Sequence, residues 1–185
     1  MERTAVSDID APDSSGHSLT DALGTEHIAA HWYHLSPGEG LPGGLHAHVD
    51  QEEVFLVVAG VAAFETLEGE VHVEAGEAIR FAPGEYQSGR NAGDTELDVL
   101  ALGAPRDSDD VRVPATCPDC GAGSLRLETD DGLTFGCPAC AAEHVPASCR
   151  DCGSDALAFT TDDGGDPVVE CGDCGTHFDD VPLVQ

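Results

Sequence analysis

Two histidines one residue apart, His46 and His48 in "GLHAHVDQEEVFLVVAG", are followed by Glu53 at the head of an apolar run. In an extended strand, residues i and i+2 face the same side, so both imidazoles can point into one interior. A hairpin partner can bring the Glu53 carboxylate alongside. Two imidazoles and a carboxylate are a natural donor set for a divalent transition metal, with positions left open for a substrate. The bland alternative is a solvent-facing strand edge carrying polar residues. Glu52 must point the opposite way from Glu53 and reads as a solvated charge.

The eight cysteines offer a second chemistry. All lie after residue 116, in four C-x-x-C pairs. Cys117, Cys120, Cys137 and Cys140 form one set; Cys149, Cys152, Cys171 and Cys174 form the other. Two cysteines three apart in a tight turn aim both sulfurs at one ion, and a second such turn completes a tetrahedron. The intervening 16 and 18 residues suit a two-stranded hairpin. Four thiolates make a closed structural site, so zinc is expected in each, with iron the alternative of like geometry. "CPDCGAGSLRLETDDG" at 117–132 repeats as "CRDCGSDALAFTTDDG" at 149–164, which fixes this pairing over one that joins the inner four cysteines. The pattern resembles tandem zinc ribbons. Modules of about 30 residues cannot support a core unaided, so metal binding and folding should coincide. His144 and His177 follow the last pair of each module and read as surface polar residues rather than ligands. Paired cysteines of this kind point to a reducing compartment, not to disulfides.

Short strands must position these groups. Segments 26–36, 43–48, 52–59, 61–67, 70–74, 77–82, 86–91 and 95–103 read as strands, separated by turns such as "PGEG", "EAGE" and "NAGD". They predict an antiparallel barrel or sandwich, and no helix period is visible. "GLPGG" precedes the histidine strand with no helix after it, so it is a turn and not a nucleotide-binding loop. The expected organisation is a flexible segment 1–24, a barrel 25–104, a Pro/Asp/Ser-rich linker 105–115 and two modules at 116–146 and 147–185. His31 and His34 fall on opposite faces of the first strand, so one of them can enter the interior. Trp32 and Tyr33 read as core, His72 as solvent-facing, and Arg80 and Tyr86 as neighbours of the site.

The glycines around the histidines add a resemblance. Gly40, His46, His48, Glu53 and Gly60 stand at the spacing of the first cupin motif. Gly76, Gly84 and Asn91 stand at the spacing of the second, with Ala82 and Pro83 shifting the usual proline by one and Gln87 in place of the fourth ligand histidine. The first part thus resembles the cupin superfamily. The resemblance implies an all-β jelly-roll barrel, a homodimer, and iron, manganese, nickel or zinc held by His46, His48, Glu53 and Gln87. It implies a small-molecule enzyme, with dioxygenase-like chemistry foremost, or else a non-catalytic ligand-binding or regulatory cupin whose zinc ribbons contact other proteins.

Charge narrows the partners. The chain has 36 acids and 7 basic residues, all arginine, for a net charge of −29. Residues 115–185 hold 14 acids against Arg126 and Arg150, which is no footprint for phosphate, so nucleic-acid binding is disfavoured. No signal peptide or apolar run of membrane-spanning length is visible, and a cytoplasmic location is expected. Apolar runs recur between the turns, so the acid clothes a folded protein instead of marking disorder. Dispersed acid without lysine resembles proteins of salt-loving archaea, whose self-repulsion molar salt screens. The melting temperature should therefore rise steeply between low and molar salt; a calorimetric melt independent of salt would refute that reading.

Overall fold

The computed structural model describes residues 1–9, 16–129 and 132–184. In the first part, β1 (Gly16–Ser18) and a short helix α1 (Leu19–Leu23) precede β2 (Ala29–Leu35), β3 (Ala47–His48) and β4 (Glu52–Ala59). There follow β5 (Val61–Thr66), β6 (Gly69–Glu74), β7 (Ala78–Phe81), β8 (Ser88–Asn91) and β9 (Leu97–Ala104). The second part holds β10 (Val111–Val113), β11 (Leu125–Glu128), β12 (Thr134–Gly136), β13 (Glu143–Pro146), β14 (Leu157–Thr161), β15 (Pro167–Cys171), β16 (His177–Phe178) and β17 (Leu183–Val184). The protein is all-β, as expected.

The barrel has two facing antiparallel sheets, β1-β2-β9-β4-β7 and β6-β5-β8. Period-two alternation decides what faces inward. Leu35 of β2, Phe55 and Val57 of β4, and Leu97 and Val99 of β9 meet Ala62, Phe64, Val73 and Phe81 in one buried cluster. The rings of Phe55, Phe64 and Phe81 lie with centroids 5.0 to 6.0 Å apart. This core fills one end of the barrel, and the polar histidine and glutamate side chains take the other. Gly60 makes the turn between β4 and β5 at φ +82°, where a Cβ would sit 2.7 Å from the Glu96 carbonyl oxygen. Only glycine meets both demands.

Three features depart from expectation. Residues 16–24, expected within a flexible segment, instead add β1 and α1 to the barrel. Buried Thr20 makes the difference, because its hydroxyl accepts from the Ala30 amide at 2.6 Å and donates to the Ala30 carbonyl at 3.2 Å. Five helical residues are too few to display a period. Residues 105–115, expected as a linker, contain β10, which pairs with β3 on one side and β11 on the other. The sheet β17-β13-β12-β11-β10-β3 therefore runs from the barrel through the first cysteine module. Finally, the two modules, expected as separate metal-stapled units, pack on one common core. Val113, Leu125 and Phe135 pack with Val169 and Val181, and the Phe135 and Phe159 rings meet edge to face at 6.0 Å.

Asn91, at the end of the second glycine motif, ties the barrel corner. Its buried amide donates to the carbonyls of Leu35 and Thr95, and its side-chain oxygen accepts from the Gly93 amide. Truncation orphans three backbone partners, so Asn91→Ala should cost about 1–3 kcal/mol; denaturant unfolding in high salt measures it.

Candidate metal centre

His46, His48 and Glu53 converge. One ring nitrogen from each histidine and a Glu53 oxygen lie within 4.8 Å of one another, close enough to share one ion at bonds of about 2.1 Å. His48 Nε2 is 3.6 Å from Glu53 Oε1. Gln87, 3% exposed, donates from Nε2 to Glu53 Oε2 at 3.1 Å and stands 3.5 Å from His46 Nε2. The side chain thus closes the fourth corner of the cluster, and a half-turn of its amide would present the oxygen there. His46 and Gln87 also exchange both backbone hydrogen bonds, His46 N–H to the Gln87 carbonyl at 3.1 Å and the reverse at 2.8 Å.

The far nitrogens of both rings are tethered. His46 Nδ1 meets the Gly44 carbonyl at 2.8 Å. His48 Nδ1 meets the Ser108 hydroxyl at 2.9 Å, and that hydroxyl donates onward to Asp50 at 2.6 Å. A carbonyl can only accept, and a hydroxyl whose proton goes to Asp50 must accept too, so both imidazoles carry their proton on Nδ1. Nε2 is left as a lone pair aimed at Glu53, the tautomer a metal needs. Burial pushes His48 below the ordinary imidazole value, against the pull of Glu53, and this favours the neutral ring. Ser108 in turn holds Asp50 below the usual carboxylate range. The donor set fits a divalent transition metal.

The cluster lies in a cavity of about 370 Å³, also lined by His31, Tyr33, Phe55, Gln51 and Arg106. That volume suits a small organic molecule. Of the first-strand histidines, His31 enters the cavity, while His34 is exposed and bonded to Asp98. Tyr33, read as core, is a cavity wall. Burial and then the Glu53 charge raise its phenol above the ordinary value, so it stays protonated. Arg80 pairs with Glu52 on the outer face and Tyr86 donates to Ser124, so neither lines this cavity. His72 is exposed beside Glu70, as expected. Ser108 and Arg106, in sequence read as linker, had no local signal, since long-range bonds to Gln51, Asp50 and Thr25 and the pairing of β3 with β10 bring their segment to the barrel.

Both cysteine sets assemble as spaced. Sγ separations are 3.8 Å for Cys117–Cys140, 3.5 Å for Cys120–Cys137, 3.7 Å for Cys149–Cys174 and 3.6 Å for Cys152–Cys171. A zinc tetrahedron with Zn–S bonds of about 2.3 Å has edges near these lengths, and both sets can hold zinc. The four C-x-x-C turns are alike. The amide of each leading cysteine (Cys117, Cys137, Cys149, Cys171) donates to the carbonyl five residues on, with a left-handed residue between, at Gly121, Ala141, Gly153 and Gly175. His177 is exposed, as expected. His144 is not: it is 1% exposed, with Nε2 3.7 Å from Cys117 Sγ and 3.6 Å from Asp119, and its Nδ1 has no partner among the described residues. It pairs with Phe135 in the register of β13 against β12 and lies beside Cys117, a placement the repeat alone does not reveal. Arg126 is bonded to Asp110 and Arg150 lies over the Phe178 ring.

An antiparallel double-sheet barrel with two imidazoles and a carboxylate converging inside it defines a class of metal-competent β-domains. Residues 31–103 match the family model of the cupin domain, and this stretch is a cupin domain. A sugar phosphate isomerase of the cupin superfamily from Silicibacter pomeroyi is similar at 19% identity and a TM-score of 0.55, over 72% of this chain and 90% of its own. The polyketide cyclase from Streptomyces resistomycificus matches at 19% identity and a TM-score of 0.52, over 64% and 89%. A structure from Acidithiobacillus ferrooxidans matches at 24% identity and a TM-score of 0.47 over 52% of this chain, which spans 61% of that protein. At such identities the likeness is one of fold. No curated protein matches the sequence. No helix among the described residues is long and apolar enough to cross a membrane.

The thiols set the proton balance of metal uptake. Amides of Cys140 and Ala139 draw Cys137 down to about 6, and the Thr176 hydroxyl and amide draw Cys174 down to about 6. Cys140 feels the Ala142 amide, but Cys120 and Cys137 push it up to about 12; Cys152 feels the Ser154 amide, but Cys174 and burial push it up to about 12. A cation bound by four thiolates displaces whatever protons they still carry. Cys137 and Cys174 are protonated at pH 5 and ionised at pH 8. Zinc uptake by the metal-free protein should thus release about one more proton per module at pH 5 than at pH 8, measurable in a weakly buffered titration.

Proposed function

We propose that the barrel is a metal centre that binds and transforms a small molecule, with dioxygenase-like oxidation the leading chemistry. The observation that carries this is the convergence of His46, His48 and Glu53 with both histidine Nδ1 atoms tethered. Iron, manganese, nickel or zinc held there, with Gln87 as a neutral fourth donor, would supply Lewis acidity or dioxygen activation. The chain's own residues do the rest. Phe55 and Tyr33 wall the cavity against water, Arg106 offers a cation in its lining, and Gln87 orients Glu53.

Tyr33 and His31 favour an enzyme over a pure binding protein. Each is a titratable group in the cavity outside the donor set, and a protonated phenol near Glu53 can give a proton to a bound substrate. The runner-up is a ligand-binding or regulatory cupin whose zinc modules contact another protein. We further read the protein as cytoplasmic, halophilic and homodimeric through the barrel, without nucleic-acid partners; both arginines of the modules are already engaged.

Elemental analysis tests the reading. The purified protein should carry about three metal ions per chain, two zinc and one other, and His46→Ala should retain only the two zinc ions. Zinc alone at two per chain in the unmodified protein sinks the metal centre. Oxygen uptake by the loaded protein across a panel of small molecules then separates an oxygenase from the binding-protein alternative.

A further inference from the structure

The segment carrying His46 and His48 is held from outside the barrel as much as from within. β3 pairs with β10 at His48↔Val111 and Ala47↔Arg112, and the Val49 amide donates to the Asp110 carbonyl at 2.9 Å. The residues just before His46 rest on the second cysteine module. The amide of fully buried Leu45 donates to the Phe159 carbonyl at 2.8 Å. Gly44, at φ +61°, lies so close that a Cβ there would sit 3.0 Å from the same oxygen. Gly44 also supplies the carbonyl that tethers His46 Nδ1.

Phe159 lies in β14, whose hairpin with β15 ends on the pair Leu157↔Cys171. A carboxylate from the barrel grips that hairpin. Glu65 of β5 accepts from Thr160 Oγ1 at 2.9 Å, from Thr161 Oγ1 at 2.6 Å and from the Thr161 amide at 2.9 Å. Glu65 does not line the His46 cavity. Its three donors all come from the second module, so docking is the work its charge does here.

We propose that the second cysteine module is a positioning element for the barrel's donor set. Metal held by Cys149, Cys152, Cys171 and Cys174 folds the β14–β15 hairpin, the hairpin seats on Glu65, and the Phe159 carbonyl fixes the turn from which His46 is aimed. The inference rests on reading His46, His48 and Glu53 as a metal centre. A ligand histidine loses affinity when the turn that aims it is released, and loss of an outer partner of such a histidine typically costs about 10- to 100-fold. Glu65, Thr160 and Thr161 are positioning residues; none touches the barrel ion.

Mn2+ titration of the full chain in high salt, followed by the electron paramagnetic resonance of the free ion, reads the barrel without displacing thiolate-bound zinc. Glu65→Ala should keep both zinc ions and bind Mn2+ at least about tenfold more weakly. Cys152→Ser should show the same loss with one zinc fewer, Thr161→Val a smaller loss, and Glu68→Ala, in the exposed β5–β6 turn, none. Hydrogen exchange at the Leu45 amide, measured with the barrel free of metal, should be slow in the unmodified chain and fast in Glu65→Ala and Cys152→Ser. Unchanged Mn2+ affinity and unchanged Leu45 protection in these two variants overturn the proposal. Should Glu65→Ala fail to fold, Thr161→Val decides by the same two readouts. An unmodified chain that takes up no Mn2+ refutes the metal centre itself, while Leu45 exchange still judges the coupling.

Discussion

An imidazole can give Nε2 to a metal only when its proton sits on Nδ1, and something must hold it there. That requirement organises this protein. His46 is served by the Gly44 carbonyl and His48 by Ser108, which is itself polarised by Asp50. None of these three acceptors lies in a barrel strand. The segment between β2 and β4 contributes only the two-residue β3 to any sheet, so its shape is held by barrel residues such as Gln87 and Gly89 and equally by β10, the 105–110 segment and β14. The barrel supplies a cavity and a carboxylate; the geometry of the histidines is a joint product of both halves of the chain.

What the sequence made legible follows from range. Glycine, histidine and glutamate at motif spacing, the cysteine repeat, and the turns between alternating apolar residues are local patterns, and each is where it was expected. The facing of Glu52 and Glu53 came from period two alone. Pairings between distant segments left no such trace. "VRV" is too short to display alternation, so β10 hid in a Pro/Asp-rich stretch. Thr20 anchors α1 through two hydrogen bonds to Ala30, and no pattern announces a single hydroxyl. His144 reads as a surface polar residue, yet it is buried beside Cys117 within the first module. Tyr33 packs against the core as its place in an apolar strand implied, but that it also walls the cavity left no trace in sequence.

Charge is deployed as unevenly as structure. With seven arginines against 36 acids, cations are scarce, and two of them meet at one seam. Arg112 and Arg126, on neighbouring strands β10 and β11, converge on Asp110 and hold it below the usual carboxylate range. Asp110 is also the carbonyl partner of Val49, one residue past His48. Two part-buried acids are held by donors: Glu53 accepts from Gln87 inside the barrel, and Glu65 accepts from Thr160 and Thr161 of the second module.

β3 has a consequence for how the chain can be divided. Its outer hydrogen bonds go to β10, so the strand that carries His48 is at once the rim of the barrel and the last strand of the first module's sheet. Cutting the chain near residue 105 would leave that rim with unpaired amides and carbonyls beside an open cavity, an edge that invites pairing with another molecule. The barrel's rim and the first module's sheet are thus one continuous hydrogen-bonded structure. Any recombination that moved the barrel without its cysteine modules would have to invent a new neighbour for His48.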